Sequence, residues 1–292
     1  MRRGSRGPAR RRALALGLPL TLVCMALAAS LSVSSAPASQ KLKEEFAPFI
    51  DCPTAVAGAC TIGYTTAGEF KLGSKTVPIT KTITLQGGLP HISLQTESLI
   101  PARDGNTLSN TPLTLPGGLT GIEGLGGEVT ATAEIAGPVS GILVNQYFLA
   151  EGLQTAVVLP LKIKLSNPLL GEDCYIGSDS NPVVLHLTDG TTNPPRPNHP
   201  ISGSKGTLED IAKGKIITIK GNELVDNSFS APAATGCGTG LLAPVINGLV
   251  NLDAGLPSAA GHNTAIMSGS FELTQAAYAA KYAKPPKEKK HK

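Results

Sequence analysis

The sequence predicts an all-β fold, an antiparallel sandwich or barrel-like domain with one or two short helices. Apolar and polar residues alternate with a period of two in many short segments, as in Val157, Leu159, Leu161, Ile163 and Leu165. Turn-forming residues separate these segments, and strands do not alternate regularly with helices. Together these features favour antiparallel sheets over a parallel α/β fold.

Three segments carry the strand pattern most clearly. They are 76–86, 129–135 and 157–165, where apolar residues alternate with threonine or lysine. A strand places successive side chains on opposite faces, so we expect one face in the core and one in water. Further strands are predicted at 92–96, 142–149, 183–188, 215–220 and 265–273.

Two helices are predicted within the β domain. Thr207 and Asp210 have the spacing of a capping box and Gly214 could end the helix, so 208–213 is assigned one or two turns. The second helix begins at Leu241, from which apolar residues recur along one stripe, and Pro244 fits its first turn.

The chain begins with a predicted export signal. Six arginines in the first 12 residues precede an apolar run from Ala13 to Val33, and Ala36-Pro37-Ala38 matches a cleavage pattern. Residues 1–38 therefore read as a signal peptide cut before Ser39. A run of this length could also remain as a signal anchor, and both alternatives export the rest of the chain.

The domain organisation follows from that signal. Residues 39–280 are predicted to form a single large β domain, and 281–292 a disordered, lysine-rich tail. The chain has 25 basic and 21 acidic residues, but six of the basic ones are the signal arginines, so the remainder is slightly acidic. With no tryptophan and no basic body, the chain is not expected to bind nucleic acid. The tail is expected to attract polyanions of the cell envelope.

Four cysteines follow the signal: Cys52, Cys60, Cys174 and Cys237. Of the three possible pairings, we favour Cys52 with Cys60 and Cys174 with Cys237, because the first two are sequence neighbours and the other two lie in glycine-rich loops. A zinc site is the alternative, but the spacing is too wide for a zinc knuckle and an exported protein favours cystine. No metal or cofactor is expected.

Each candidate catalytic residue has a structural explanation. His186 precedes Asp189 by three residues and is the best general-base candidate, although its position between Leu185 and Leu187 also fits the solvent face of a strand. His262 reads as a loop residue. The chain has no G-x-S-x-G motif. No catalytic residue is therefore assigned.

Other acidic and glycine-rich segments have residue types found in binding sites, but not the required spacing. Glu172, Asp173 and Asp179 could bind calcium but do not have EF-hand spacing. The adjacent pairs Glu44-Glu45 and Glu209-Asp210 diverge and cannot form a glycosidase pair. The stretches 117–127 and 236–240 lack phosphate-loop spacing and read as turns.

A glycine-, proline-, alanine- and threonine-rich exported β domain with four cysteines resembles uncharacterised secreted bacterial β-rich proteins. The resemblance carries no functional motif and transfers no site residue. The sequence thus predicts a non-enzymatic extracellular or cell-envelope protein with a structural or binding role. The alternatives are a secreted hydrolase, whose site would assemble from distant loops, and a carrier of an apolar ligand.

Overall fold

The computed structural model describes residues 38–119, 128–152 and 154–284. The predicted signal therefore lies outside the described residues except for Ala38, as does most of the lysine-rich tail. Among the described residues, no helix is both long and apolar enough to cross a bilayer.

The strands are short except for four, which build the centre of the molecule. In chain order they are β1 (Ala59–Leu72), β2 (Lys75–Pro78), β3 (Ile83–Leu89), β4 (Thr96–Ser98), β5 (Ile100–Pro101), β6 (Leu113–Thr114), β7 (Thr130–Ile135), β8 (Leu143–Asn145), β9 (Val157–Ser166), β10 (Tyr175–Ile176), β11 (Val183–Leu187), β12 (Thr207–Ile211), β13 (Ile216–Asp226), β14 (Ala234–Thr235) and β15 (Thr264–Gln275). The helices are α1 (Ala38–Phe46), α2 (Gln146–Glu151), α3 (Ala243–Ala254) and α4 (Ala276–Tyr282).

The described strands form two antiparallel sheets, which confirms the predicted all-β class. Sheet I has the order β12-β13-β15-β1-β3-β5, with β2 paired to the far end of β1. Sheet II has the order β14-β10-β9-β7-β6, with β11 and β8 also paired to β9 and β4 paired to β8. The main core contains buried residues of both sheets, for which β9 supplies Val157, Leu159, Leu161, Ile163 and Leu165.

A second, smaller core covers the outer face of sheet I near the chain ends. We call it the terminal core. It contains Phe46 of α1, Phe49, the Cys52–Cys60 cystine, and Ala276 and Ala279 of α4. The Phe46 ring lies 6.1 Å from that of Phe49 and 5.1 Å from that of Tyr282, centroid to centroid. Helices from both ends of the described chain are thereby fixed to one sheet face.

Both predicted disulfides are present in the described part of the chain. Cys52 is bonded to Cys60 and Cys174 to Cys237. The first joins the segment after α1 to the start of β1, and the second lies in the main core. Cystine loops of these lengths, 8 and 63 residues, stabilise a fold by about 2.5 and about 4 kcal/mol in the chain-entropy treatment.

The predicted helix at 208–213 is wrong. The segment is instead β12, paired antiparallel with β13. Ala212 and Lys213 both have positive φ, so they form the tight turn of a hairpin rather than a helical turn. The Thr207 to Asp210 spacing resembles a capping box, but pairing with the neighbouring strand outweighs the weak local preference of so short a segment.

The predicted strand at 76–86 is divided into β2 and β3, which both pair with β1. The break faces a bulge in β1 between Thr65 and Ala67, and it follows Pro78, which has no N–H to donate. The predicted strand at 92–96 is also wrong, because the chain bends there and β4 begins only at Thr96.

The segment 142–149 changes from strand to helix after β8. Asn145 caps α2, since its Oδ1 accepts a hydrogen bond of 3.0 Å from the Phe148 N–H. The second predicted helix is confirmed as α3, with Pro244 in its first turn. Its predicted apolar stripe is only partly covered: Val250 is buried, whereas Leu241 just before the helix is 99% exposed.

Candidate functional site

Two apolar cavities lie in the gap between the sheets, and a wider pocket opens beside them. The inner cavity has a volume of about 80 Å³ and is walled by Phe70, Val77 and Ile163 among others. The middle cavity also has a volume of about 80 Å³, and Leu85 and Leu159 are among its walls. We call the pocket of about 330 Å³ beside Tyr147 and Leu208 the mouth.

The three spaces adjoin because they share wall residues. Ile83 and Met267 line both the inner and the middle cavity. Phe271 lines both the middle cavity and the mouth. Met267 and Phe271 are four residues apart on β15, which corresponds to about 13 Å of strand. The spaces therefore follow β15 in a row, from the inner cavity to the surface.

The mouth is an exposed apolar surface. Leu94, Leu208 and Ile217 are exposed, although they are large and aliphatic, and Tyr147 of α2 is exposed beside them. Contiguous apolar residues at a surface commonly mark a binding groove or an interface.

Glycine at position 63 helps to keep the middle cavity open. Gly63 lies in the middle of β1, opposite Phe271 of β15 and Leu85 of β3. A Cβ atom placed on it would have only the Leu85 carbonyl oxygen, at 3.9 Å, among its close neighbours. The space is therefore available to a side chain but unused. An interior strand glycine of this kind often marks the approach of a ligand or a second backbone.

The cavity walls are almost entirely aliphatic and aromatic, with few polar groups. Lys75 borders the inner cavity, and its ammonium is bonded to Asp253 at 2.7 Å and to the Gly118 carbonyl at 3.2 Å. Thr61 and Asn222 border the middle cavity and are 3% and 5% exposed. Thr61 Oγ1 and Asn222 Oδ1 have no hydrogen-bond partner among the described residues.

The structure does not assemble the hydrolase site considered around His186. His186 is exposed on β11, and it is its backbone N–H, not its ring, that bonds Asp226 Oδ2, at 2.7 Å. The other Asp226 oxygen accepts from the Ser228 N–H at 2.8 Å. His186 and Asp226 border an open groove of about 640 Å³ that both polar and apolar side chains line.

Asp189 lies away from the wall of that groove, buried beside the end of α2. Its Oδ1 is 3.4 Å from where a Cβ on Gly152 would lie, and neither carboxylate oxygen has a partner among the described residues. Burial raises the pKa of Asp189, and the residue's own backbone N–H and, to a smaller extent, the Lys205 ammonium partly oppose that increase. The Asp189 carboxyl therefore makes no hydrogen bond to His186 among the described contacts.

His262 is exposed in the loop before β15, as the sequence predicts. Its neighbour Asn263, which the sequence analysis missed, is fully buried and bonds Gly73, Phe229 and Ala259. Asn263 therefore holds three loops together. A buried amide of this kind leaves no recognisable pattern in a single sequence.

Two of the three acidic residues named for calcium lie beside lysines. Asp179 accepts hydrogen bonds from Lys162 at 2.9 Å and from the Gly137 N–H at 3.1 Å, and these bonds lower its pKa. Glu172 is almost fully exposed near Lys164. Across the residues that the structure describes, no group of three or more metal-binding side chains is close enough to hold an ion.

The paired carboxylates also form separate surface contacts. Glu45 lies 4.0 Å from Lys41 on α1, while Glu44 is exposed. Glu209 and Asp210 lie in β12 rather than in a helix, so they point to opposite faces, and Glu209 bonds Lys220 at 2.6 Å.

The glycine-rich stretch before α3 is required by close backbone packing. A Cβ on Gly236 would come within 2.0 Å of the Asp173 carbonyl oxygen. The Cys237 N–H donates to Asn247 Oδ1 at 2.9 Å and so is not free for an anion. In the other stretch, Gly117 and Gly118 form a turn with positive φ, and residues 120–127 lie outside the described part of the chain.

Comparison with protein-family models, curated proteins and solved structures found no match to this chain.

Proposed function

We propose that the protein is an exported, non-enzymatic binding protein that holds a slender apolar ligand between its two sheets. The observation that carries the proposal is the row of apolar spaces along β15, in which the exposed mouth and two cavities of the main core share wall residues. Binding sites for small molecules are typically concave and apolar, with few polar groups.

The volumes decide which ligand shape fits. Each cavity of about 80 Å³ is smaller than the usual pocket for a drug-sized molecule, which exceeds about 300 Å³. It is nevertheless several times the space that one water molecule needs, and an apolar cavity stays dry. A narrow chain that extends from one space to the next fits this arrangement, whereas a broad ring system does not.

Export rests on the sequence and on the compartment in which disulfides persist. Two cystines in the described residues fit an oxidising environment. In this proposal the lysine-rich segment that begins at Lys281 attracts envelope polyanions, weakly and in a salt-dependent way, because exposed charges are screened within about 8 Å at physiological ionic strength.

The test is binding of a neutral, rod-shaped fluorescent probe, diphenylhexatriene, to the purified protein, with decane as competitor. We expect the probe to bind with enhanced emission and decane to displace it. Gly63→Leu should fill the middle cavity and reduce probe affinity at least tenfold. Gly248→Leu is the matched control, because Gly248 lies exposed on α3 with open space around its Cβ position, and it should bind as the parent does.

Thermal unfolding of both variants separates a blocked cavity from a lost fold. Gly63→Val, with a smaller side chain, provides a second blocking variant if Gly63→Leu unfolds. If the folded Gly63 variants bind the probe as well as the parent does, the ligand does not occupy the gap and the proposal is wrong.

A further inference from the structure

Asn222 is a buried polar side chain in the wall of the middle cavity. It lies on β13 where the pairing register with β15 shifts, opposite Gly269. Gly269 is two residues from Met267, the wall that the inner and middle cavities share. Asn222 therefore borders the gap near its midpoint.

Burial of the unpaired side-chain carbonyl of Asn222 lowers the stability of the folded protein. The residue is 5% exposed, and its Oδ1 has no hydrogen-bond partner among the described residues. Nearly all buried polar atoms in native proteins are hydrogen-bonded, and leaving one unpaired costs about 1–3 kcal/mol. A donor brought by a ligand would remove that cost.

The neighbours of Asn222 restrict the donor to an uncharged one. Leu224, Met267 and Phe271 line the same cavity and offer no charge to an ionic group. Burying an unpaired carboxylate or ammonium there would be strongly unfavourable. The Lys75 ammonium cannot serve, because it borders the other cavity and is paired with Asp253.

We infer that the ligand is a neutral, slender apolar molecule with a hydroxyl group, and that this hydroxyl donates a hydrogen bond to Asn222 Oδ1. The inference rests on the proposed function, because it names the class of ligand for the same gap. The chain of the ligand lies along β15 and the hydroxyl lies beside Gly269. Fatty alcohols and linear terpenoid alcohols have this chemistry.

The test compares three competitors of similar size: octanol, heptyl methyl ether and octanoate. The ether has the same atoms as octanol but no hydroxyl donor. On the parent protein we expect octanol to displace diphenylhexatriene at about fivefold lower concentration than the ether, as one net hydrogen bond of about 1 kcal/mol predicts. Octanoate should be the weakest of the three.

Two variants test whether the preference for octanol over the ether depends on Asn222. Asn222→Leu, of similar shape, should make octanol and the ether equal while leaving the ether affinity within twofold of the parent value. Thr61→Val is the matched control, because it also removes an unpartnered buried polar atom from the same cavity, but near the Leu273 end. It should keep the octanol preference. Asn222→Met serves if Asn222→Leu does not fold.

The outcomes separate this inference from the proposed function. If octanol and the ether compete equally on the parent, or the octanol preference survives in Asn222→Leu, the hydroxyl contact is wrong, even where Gly63→Leu still blocks both competitors. If none of the three displaces the probe and Gly63→Leu has no effect, the gap is not a binding site and both proposals fail.

Discussion

The two faces of sheet I are covered by different kinds of side chain. On the outer face, the terminal core closes over β1 with Phe46 and Phe49, which are 0% and 2% exposed, and with the ring of Tyr282. On the inner face, the same strand presents Gly63 to a second sheet that offers mainly leucine, isoleucine and valine. The outer side is filled, whereas the inner side keeps its cavities.

The difference shows that burial and close packing are separate properties. Both faces are apolar and removed from water, but protein interiors normally leave few voids larger than a water molecule. Leu159 of sheet II lines the middle cavity together with Gly63, yet no side-chain atom lies within 4 Å of where a Cβ on Gly63 would be. The tightly packed outer face contributes stability, while the less densely packed inner face has room for a ligand.

The largest expected effect comes from removing one phenylalanine from each face. Phe46→Ala should lower the free energy of unfolding by about 4 kcal/mol, because its ring is fully buried among other rings. Phe271→Ala, the matched change on the inner face, should cost only about 2 kcal/mol, since Phe271 is half-buried beside existing cavities. Urea unfolding measures both, and equal losses would contradict the packing difference.

The sequence predicts those features of the fold that depend on residues close together in the chain. The alternation in β9 and the cysteine pairing were predicted, because each depends on residues close in the chain or on a small set of alternatives. The central strand β1 was missed, since Gly63 and Gly68 interrupt its pattern and threonines replace aliphatic residues. The gap itself arises from the way two sheets face each other, which no local pattern contains.

The polar residues of the gap were also beyond local patterns. Asn222 lies just beyond the predicted strand at 215–220, and a register shift in the pairing with β15 places it inside the sheet. His186 was correctly judged a solvent-face position, because Leu185 and Leu187 on either side are buried. The mouth depends on α2, which was predicted as strand although Asn145 precedes it as a helix cap.

A smaller effect should come from Asp189, which lies beside the end of α2, the helix that supplies Leu149 to the middle cavity. Burial raises the pKa of Asp189, so the folded protein holds this proton more tightly than the unfolded chain. Its contribution favours folding below the unfolded pKa and is lost as pH rises through the folded pKa. Asp189→Asn should therefore stabilise the protein by about 1 kcal/mol at neutral pH, and much less below about pH 4.

Asp179 provides a control of opposite sign. The hydrogen bond from Lys162 lowers the pKa of Asp179, so its contribution is present above the unfolded pKa and is lost as pH falls through the folded pKa. Asp179→Asn should not stabilise at neutral pH. Thermal unfolding across this pH range measures both variants. If the two variants showed the same pH dependence, an unpaired carboxyl beside α2 would not account for the Asp189 effect.

The smallest expected change in the free energy of unfolding comes from adding a methyl group at two glycines of β1. One of them lies beside unused space and the other in close contact with a neighbouring strand. Gly63→Ala should raise the free energy of unfolding by about 0.5 kcal/mol, because alanine costs less conformational entropy in a strand than glycine and the new Cβ meets no close neighbour. Gly68, five residues further along β1, is the control. Its φ is +121°, and a Cβ there would lie 2.0 Å from the Ile266 carbonyl oxygen, so Gly68→Ala should destabilise. If Gly63→Ala also destabilised, as measured by urea unfolding, the space beside Gly63 would not be available, and a ligand could not use it either.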